Sequence, residues 1–149
     1  MPHIFAYMLF GLLGLVSMAL DPAMAAGTEE ATEVDADYTK AKAKIAAEDY
    51  AGALPLLDQL TASQPENADA WNLRGYANRK LGNMDVAAAS YTTALTLNPG
   101  HLGALEYQGE MFVELGQTDA AKANLKKLQD LCGDCEQAED LAEAIGVSG

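Results

Sequence analysis

The last part of the chain shows a clear pattern of apolar and polar positions. Four apolar residues fall at i, i+3, i+4 and i+7 and form one stripe on a short helix: Ala138, Leu141, Ala142 and Ile145. Asp134, with Gln137 three residues later, predicts the N-cap of this helix, and Gly146 predicts its end. Residues 134–149 are therefore predicted to form a capping helix and a short tail.

A repeat with a period of 34 residues leads up to this segment. Three units align without a gap from Val34 onwards: 34–67, 68–101 and 102–135. Small residues recur at the eighth and twentieth positions of the units: Ala41, Gly75, Gly109, Ala53, Ala87 and Ala121. Each unit reads as two helices joined by a short turn, near residues 48, 82 and 116, and the small side chains let the paired backbones approach closely. The pattern predicts an all-α chain of three helix pairs followed by the capping helix.

The N-terminal segment has a different pattern, an almost uninterrupted apolar run over residues 4–20. Residues 23–25 then read Ala-Met-Ala, which has the small-x-small form of a signal-peptidase site. Residues 1–25 are predicted to be a signal peptide, cleaved after Ala25 or Ala26, of a periplasmic or secreted protein. An uncleaved segment that anchors the protein is the alternative, since a run of about 17 apolar residues can marginally span a bilayer.

The remainder of the chain is acidic. Residues 26–37, with the sequence AGTEEATEVDAD, are predicted to be a flexible lead-in. The formal net charge is −13, and removal of residues 1–25 takes away only Asp21, which leaves −12. An excess of this size repels phosphate groups, so nucleic acid is not expected as a partner. Stable membrane insertion after cleavage is not expected either.

The middle unit resembles a tetratricopeptide repeat (TPR) in the stretch WNLRGYANRKLGNMDVAAASYTTALTLNP. The resemblance covers nearly all of the chain after the predicted signal, because the same positions match in three units. It implies an α-solenoid of three TPR helix pairs plus a C-terminal capping helix, with a concave surface lined by the first helix of each unit. Small exported bacterial proteins of this family end in a similar way, with a Cys-x-x-Cys-Glu entry into the last helix.

The resemblance also implies which residues line the concave surface. Nine of them are candidates for binding a partner: Tyr38, Lys42, Asn72, Tyr76, Arg79, Lys80, Glu106, Glu110 and Glu114. Arg79 and Lys80 are expected to form a positive spot for an acidic group, and the acids of the third unit are expected to favour a basic group beside it. Some family members clamp a peptide carboxylate with Lys and Asn. That pattern is not met at the corresponding positions, which hold Lys42, Leu73, Gly103 and Tyr107.

Cys132 and Cys135 are spaced as Cys-x-x-Cys at the entry to the predicted capping helix. In an exported protein they are predicted to form a disulfide, which closes a short loop and contributes about 2 kcal/mol. Thiol–disulfide exchange is an alternative, because the pKa of a cysteine thiol is lowered at a helix N-terminus, which favours the reactive thiolate. A zinc site needs about four ligands. The chain after the predicted signal offers two thiols and one histidine, His101, so no metal site is predicted.

The sequence contains no recognisable catalytic motif: it lacks Gly-x-Ser-x-Gly, a phosphate-binding loop and His-Glu-x-x-His. The prediction is therefore a non-catalytic scaffold, without a cofactor, that binds another protein or an extended peptide on the concave surface. Two other functions stay open at this point. One is thiol–disulfide exchange, and the other is a purely architectural role through self-association.

Overall fold

The computed structural model describes residues 36–146. The predicted signal peptide and residues 26–35 of the predicted lead-in lie outside this range. Within it, every regular element is a helix, which confirms the prediction of an all-α chain. None of these helices combines the length and the apolar character needed to cross a membrane.

Seven helices follow one another along the described residues. They are α1 (36–46), α2 (Tyr50–Ser63), α3 (Ala68–Lys80), α4 (Met84–Leu97), α5 (Leu102–Glu114), α6 (Thr118–Cys132) and α7 (Glu136–Ile145). The first six form the three predicted pairs, and α7 is the predicted capping helix. Residues 36 and 37, which were predicted to belong to the lead-in, are part of α1. Asp37 is held there because it is buried and its carboxylate pairs with Lys40, one turn further on.

Short turns join the two helices of each pair at the predicted places. Gly82 and Gly116 follow α3 and α5 with φ angles of 80° and 71°. Glycine reaches this left-handed region without the steric penalty that a Cβ brings, and it commonly ends a helix there. In the first pair Glu48 takes this conformation, with φ of 58°. Asp49 then caps α2, because its carboxylate accepts a hydrogen bond from the backbone N–H of Gly52 at 2.9 Å.

The recurring small residues lie where helices approach each other most closely. A Cβ placed on Gly75 of α3 would be 2.6 Å from the ring of Tyr91, a fully buried residue of α4. Gly109 of α5 stands in the same relation to Leu141 of α7, at 2.5 Å. A larger side chain at either position would force the helices apart or displace the neighbour. The small positions therefore set the spacing within the pairs and at the cap.

The capping helix α7 closes the array by packing against α5 and α6. Its apolar stripe is the predicted one: Leu141 is fully buried, and Ala138 is almost fully buried. Together they belong to a core cluster with three leucines of the third pair, Leu105, Leu125 and Leu128. Gly146 ends the helix in the left-handed conformation with φ of 78°, as predicted. The cap therefore covers the apolar end that the third pair would otherwise expose.

The link between α6 and α7 differs from the prediction in one respect. The N-cap of α7 is Cys135 rather than Asp134, and no side chain makes a hydrogen bond to this end. Asp134 lies in the bend between the two helices, because α6 ends at Cys132, Gly133 turns the chain with φ of 68°, and α7 begins only at Glu136. The structure joins Cys132 and Cys135, with their Cα atoms 5.7 Å apart. Formation of this disulfide in the protein stays a prediction.

Candidate functional site

The first helices of the three pairs, α1, α3 and α5, carry all nine predicted partner-binding residues. We call the surface that these helices form the inner face. Because the units repeat every 34 residues, one position of the repeat recurs on neighbouring helices and forms a row. The fifth positions are Tyr38, Asn72 and Glu106, and the ninth positions are Lys42, Tyr76 and Glu110. The chemistry of the inner face therefore changes from one unit to the next.

Three tyrosines form a continuous aromatic row on the inner face, at the contacts between pairs. The ring centroid of Tyr76 lies 5.9 Å from that of Tyr50 and 4.6 Å from that of Tyr107. All three rings are half-buried. Burial, with Glu106 nearby, raises the pKa of Tyr107 to about 12, so its hydroxyl stays protonated and can donate a hydrogen bond. This row offers a large planar contact area that is ordered in advance.

Only the middle member of this row, Tyr76, was among the predicted site residues. Tyr107 stands next to the predicted Glu106 along α5, and Tyr50 is the first residue of α2. The repeat assigns the inner face to first helices, so a residue at the start of a second helix is not expected there. The useful signal in the sequence was the presence of one tyrosine close to the inner-face positions of each unit.

Two lysines of the first two pairs lie over tyrosine rings of the inner face. The ammonium nitrogen of Lys80 lies 5.3 Å from the ring centroid of Tyr76, and that of Lys42 lies 5.5 Å from the ring centroid of Tyr38. Both lysines are exposed, and neither forms an ion pair among the described residues. Cations held over aromatic faces in this way remain available to an acidic group of a partner.

Arg79 does not have the role that the sequence suggested. Only 3% of its side chain is exposed, and its guanidinium forms ion pairs with Glu110 and Glu114 of α5. Its central carbon also lies 5.4 Å from the ring centroid of Tyr76. The prediction that Arg79 joins Lys80 in a free positive spot is wrong, because α5 supplies two carboxylates to the guanidinium. The same pairing engages Glu110 and Glu114, which were expected to face a basic group of a partner.

Glu106 is the acid of the inner face that has no such partner. It is 7% exposed, and it makes no hydrogen bond or ion pair with the described residues. Burial, with the nearby carboxylates of Glu110, Asp140 and Glu136, raises the pKa of Glu106 to about 8. A buried carboxyl in acidic surroundings keeps its proton because the charged form has lost water and meets like charges.

The raised pKa of Glu106 has a measurable effect on stability. The folded state holds this proton up to about pH 8, whereas the unfolded state releases it near the ordinary value of 4.5. The stabilisation by Glu106 is therefore fully present below pH 4.5 and is lost as the pH rises through about 8. Glu106→Gln should match the wild type at pH 4.5 and exceed its free energy of unfolding by on the order of 2 kcal/mol at pH 9. Urea unfolding at several pH values measures this.

A matched control removes a neighbouring charge without touching the buried proton. Glu139 is an exposed acid of α7 that is not among the charges acting on Glu106. Glu139→Gln should keep the pH dependence of the wild type. An unchanged pH dependence in Glu106→Gln would show that this carboxyl titrates normally in the folded protein.

His101, the histidine considered as a metal ligand, has a structural role in the described part of the chain. Its Nδ1 accepts a hydrogen bond from the backbone N–H of Ala104 at 3.1 Å and so caps α5. Its Nε2 then carries the proton and donates to Asp69 at 2.9 Å. Residues 36–146 contain no group of three or more His, Cys, Asp or Glu side chains placed to hold a metal ion. His101 therefore links the second and third units.

Comparison with solved structures places this fold among TPR domains. The first TPR domain of Spaghetti (RPAP3), bound to the HSP90 peptide SRMEEVD, is similar with a TM-score of 0.70 and 18% identity, over 77% of this chain and 91% of that one. The second TPR domain of human RPAP3, in complex with the HSP70 peptide SGPTIEEVD, has a TM-score of 0.68 and 19% identity, over 77% and 96%.

An O-GlcNAc transferase mutant from Thermobaculum terrenum is also similar, with a TM-score of 0.72 and 23% identity. The match covers 80% of this chain but only 23% of the transferase. The comparison with curated proteins gave no significant match. At these identities the solved structures establish the fold and leave the activity open.

The family assignment rests on the sequence itself. The family model described as "Tetratricopeptide repeat" matches residues 38–101 and 79–131, two overlapping segments that cover more than half of the chain. The matched segments include all three helix pairs, and the alternation of helices and turns is the one that the 34-residue repeat predicts. This chain belongs to the tetratricopeptide repeat family.

Proposed function

We propose that this protein is a non-catalytic interaction module that binds an extended segment of a partner protein on its inner face. One observation carries the proposal. Tyr50, Tyr76 and Tyr107 form a half-buried row on this face, and the exposed Lys80, which has no ion pair among the described residues, lies over the ring of Tyr76. Half-exposed tyrosines that are ordered before binding provide contact area at a small cost in conformational entropy, and tyrosine is enriched at interface hot spots.

The relatives support binding of a peptide in general. Two similar TPR domains are bound to peptides of HSP90 and HSP70. The lysine and asparagine pattern that clamps a peptide carboxylate is not met here, since Leu73, Gly103 and Tyr107 occupy positions of that pattern. The ligand of this protein is therefore proposed on the chemistry of its own inner face and not by transfer from those domains.

The charges of the inner face determine which segment fits. Lys42 and Lys80 lie in the first two pairs, whereas Glu106 of α5 and Asp140 of α7 lie towards the cap and form no ion pair among the described residues. A segment that carries charges of both signs complements this arrangement. Three repeats offer a small interface, so the dissociation constant is expected on the order of micromolar.

Site-specific photo-crosslinking tests the location of binding. A photoreactive amino acid at Lys80, on the inner face, should capture a partner, whereas the same amino acid at the exposed Lys127 of α6 should not. With the purified partner, Tyr76→Ala combined with Lys80→Ala should weaken binding about tenfold, because it removes the centre of the aromatic row and the adjacent cation. Circular dichroism should be unchanged.

The matched control combines Thr92→Ala with Lys127→Ala, two exposed positions on second helices. This variant should bind as the wild type does. If the inner-face variant also binds normally, the partner contacts another surface and the proposal fails. If Lys80 captures only second copies of this chain, the inner face serves self-association, which is the architectural alternative.

We also propose that the protein is exported to the periplasm or secreted. Support comes from the apolar run over residues 4–20 and the Ala-Met-Ala stretch that follows it. The intact mass of the exported protein should correspond to a chain that begins at Ala26 or Gly27. A dominant full-length, membrane-bound form would instead make residues 1–25 an anchor.

A further inference from the structure

The fifth positions of the repeat form a row that extends beyond the three pairs. Counting 34 residues onward from Glu106 reaches Asp140 in α7, so the capping helix continues the register as the first helix of a fourth unit would. We call these four residues the position-five row: Tyr38, Asn72, Glu106 and Asp140. Along this row the side chains change from aromatic to amide to carboxyl, and the acidic end lies where α5 and α7 pack together.

Two buried residues of the position-five row have side chains that lack a hydrogen-bond donor among the described residues, and in Asn72 the unpaired oxygen atom is itself buried. Glu106 is only 7% exposed, and it makes no hydrogen bond or ion pair with the described residues. Oδ1 of Asn72, in a side chain that is also buried, has no hydrogen-bond partner either. Buried polar groups are nearly always paired in native proteins, so each of these two calls for an explanation. Arg79 makes no hydrogen bond to either of them: its two terminal nitrogens pair with Glu114 and Glu110, and its buried Nε has no partner among the described residues.

The surroundings of Glu106 favour a positive group. Carboxylates reach it from two helices: Glu110 on its own helix α5, and Glu136 and Asp140 on α7. The one opposing charge is Arg79 of α3. A cation placed beside Glu106 meets an excess of negative charge in a partly desolvated site. The described acids are not placed to hold a metal ion, so the cation is better supplied by a side chain.

We propose that the end of the inner face between α5 and α7 is a socket for one basic side chain, arginine or lysine, of the bound segment. The proposal rests on the proposed function and adds where along the inner face the basic residue of the bound segment lies. Arginine fits well, because its planar guanidinium has five N–H donors and can donate hydrogen bonds to a carboxylate and to an amide oxygen at the same time. The acidic residue of the same segment then faces Lys42 and Lys80.

Binding at this socket is coupled to the loss of a proton. In the free protein Glu106 holds its proton up to about pH 8, because burial and the acids of α5 and α7 raise its pKa while Arg79 only partly opposes them. A bound cation favours the ionised carboxylate, so affinity rises with pH until the free carboxyl has ionised. Replacement of Glu106 by glutamine removes both the charge and the pH dependence.

N-acetyl-arginine amide is a suitable probe, with N-acetyl-norleucine amide as an uncharged control of similar length. We expect the arginine derivative to cause saturable shifts in the methyl NMR signals of α5 and α7, whereas the norleucine derivative causes none. The affinity at pH 8.5 should be about fivefold higher than at pH 6, or more, since most of the carboxyl ionises over this interval.

Three variants separate the possible results. Glu106→Gln should lose the shifts at both pH values with circular dichroism unchanged, and Glu139→Gln should keep them. Equal shifts in Glu106→Gln, or no saturable shifts in the wild type, would overturn the socket. The variant with Tyr76→Ala and Lys80→Ala should bind the arginine derivative normally. Failure of the socket is therefore distinguishable from failure of the inner face as a partner site.

Discussion

Replacement of Arg79 by alanine is expected to destabilise the protein by about 3 kcal/mol, enough to lower its melting temperature by roughly 10–20 °C. The guanidinium is buried and joins α3 to α5 through Glu110 and Glu114. Removing it leaves both carboxylates without a countercharge, and Glu110 also repels a charge on the nearby Glu106. The effect stays near the low end for a buried pair because Glu110 and Glu114 are 26% and 43% exposed and can regain water. Thermal and urea unfolding measure it.

Lys80, the next residue along α3, provides the matched control. It is exposed and forms no ion pair with a described residue, so Lys80→Ala should change the free energy of unfolding by less than about 0.5 kcal/mol. Adding Glu110→Gln to Arg79→Ala should restore part of the loss, because it removes one unpaired carboxylate. Equal stability of Arg79→Ala and the wild type would show that the ion pairs contribute nothing. A variant without Arg79 is unsuitable for testing partner binding, since lost binding could reflect lost structure.

Replacement of Leu141 by alanine should cost about 3 kcal/mol, because it opens a cavity under the capping helix. Leu141 is fully buried in one cluster with Leu105, Leu125 and Leu128. Leu131 offers the same substitution at a site that is 54% exposed, and Leu131→Ala should cost less than about 1 kcal/mol. Urea unfolding compares the two. Similar losses in both variants would mean that α7 does not seal the array.

Gly109 tests the same contact from the other side. A Cβ on Gly109 would be 2.5 Å from Cδ2 of Leu141, so Gly109→Ala alone should destabilise by about 1–2 kcal/mol. In the Leu141→Ala background the space is free, and alanine is the better helix former, so the same substitution should become neutral or stabilising. A sum of the two single effects in the double variant would contradict direct packing between these residues.

Much of the fold could be predicted from the sequence. The period of 34, the recurring small residues and the apolar stripe of α7 predicted the helices, the turns and the cap. These features are local: they depend on helical spacing and on side-chain size within one unit. The predicted start of α7 was wrong for a local reason as well. Asp134 lies in the bend that follows Gly133, so the N-cap is Cys135.

The sequence by itself determined the family, the helix pairs and the first helices that form the inner face. Only the tertiary structure decided what those residues do, because their partners lie one unit away, with Arg79 pairing at separations of 31 and 35 residues. Whether a cation faces solvent or a neighbouring carboxylate depends on how α3 and α5 pack, and helical periodicity within one unit carries no information on that. The same contact brings Tyr76 against Tyr107. Glu106 is left buried without a partner among the described residues, since the neighbouring groups on α5 and α7 are acids.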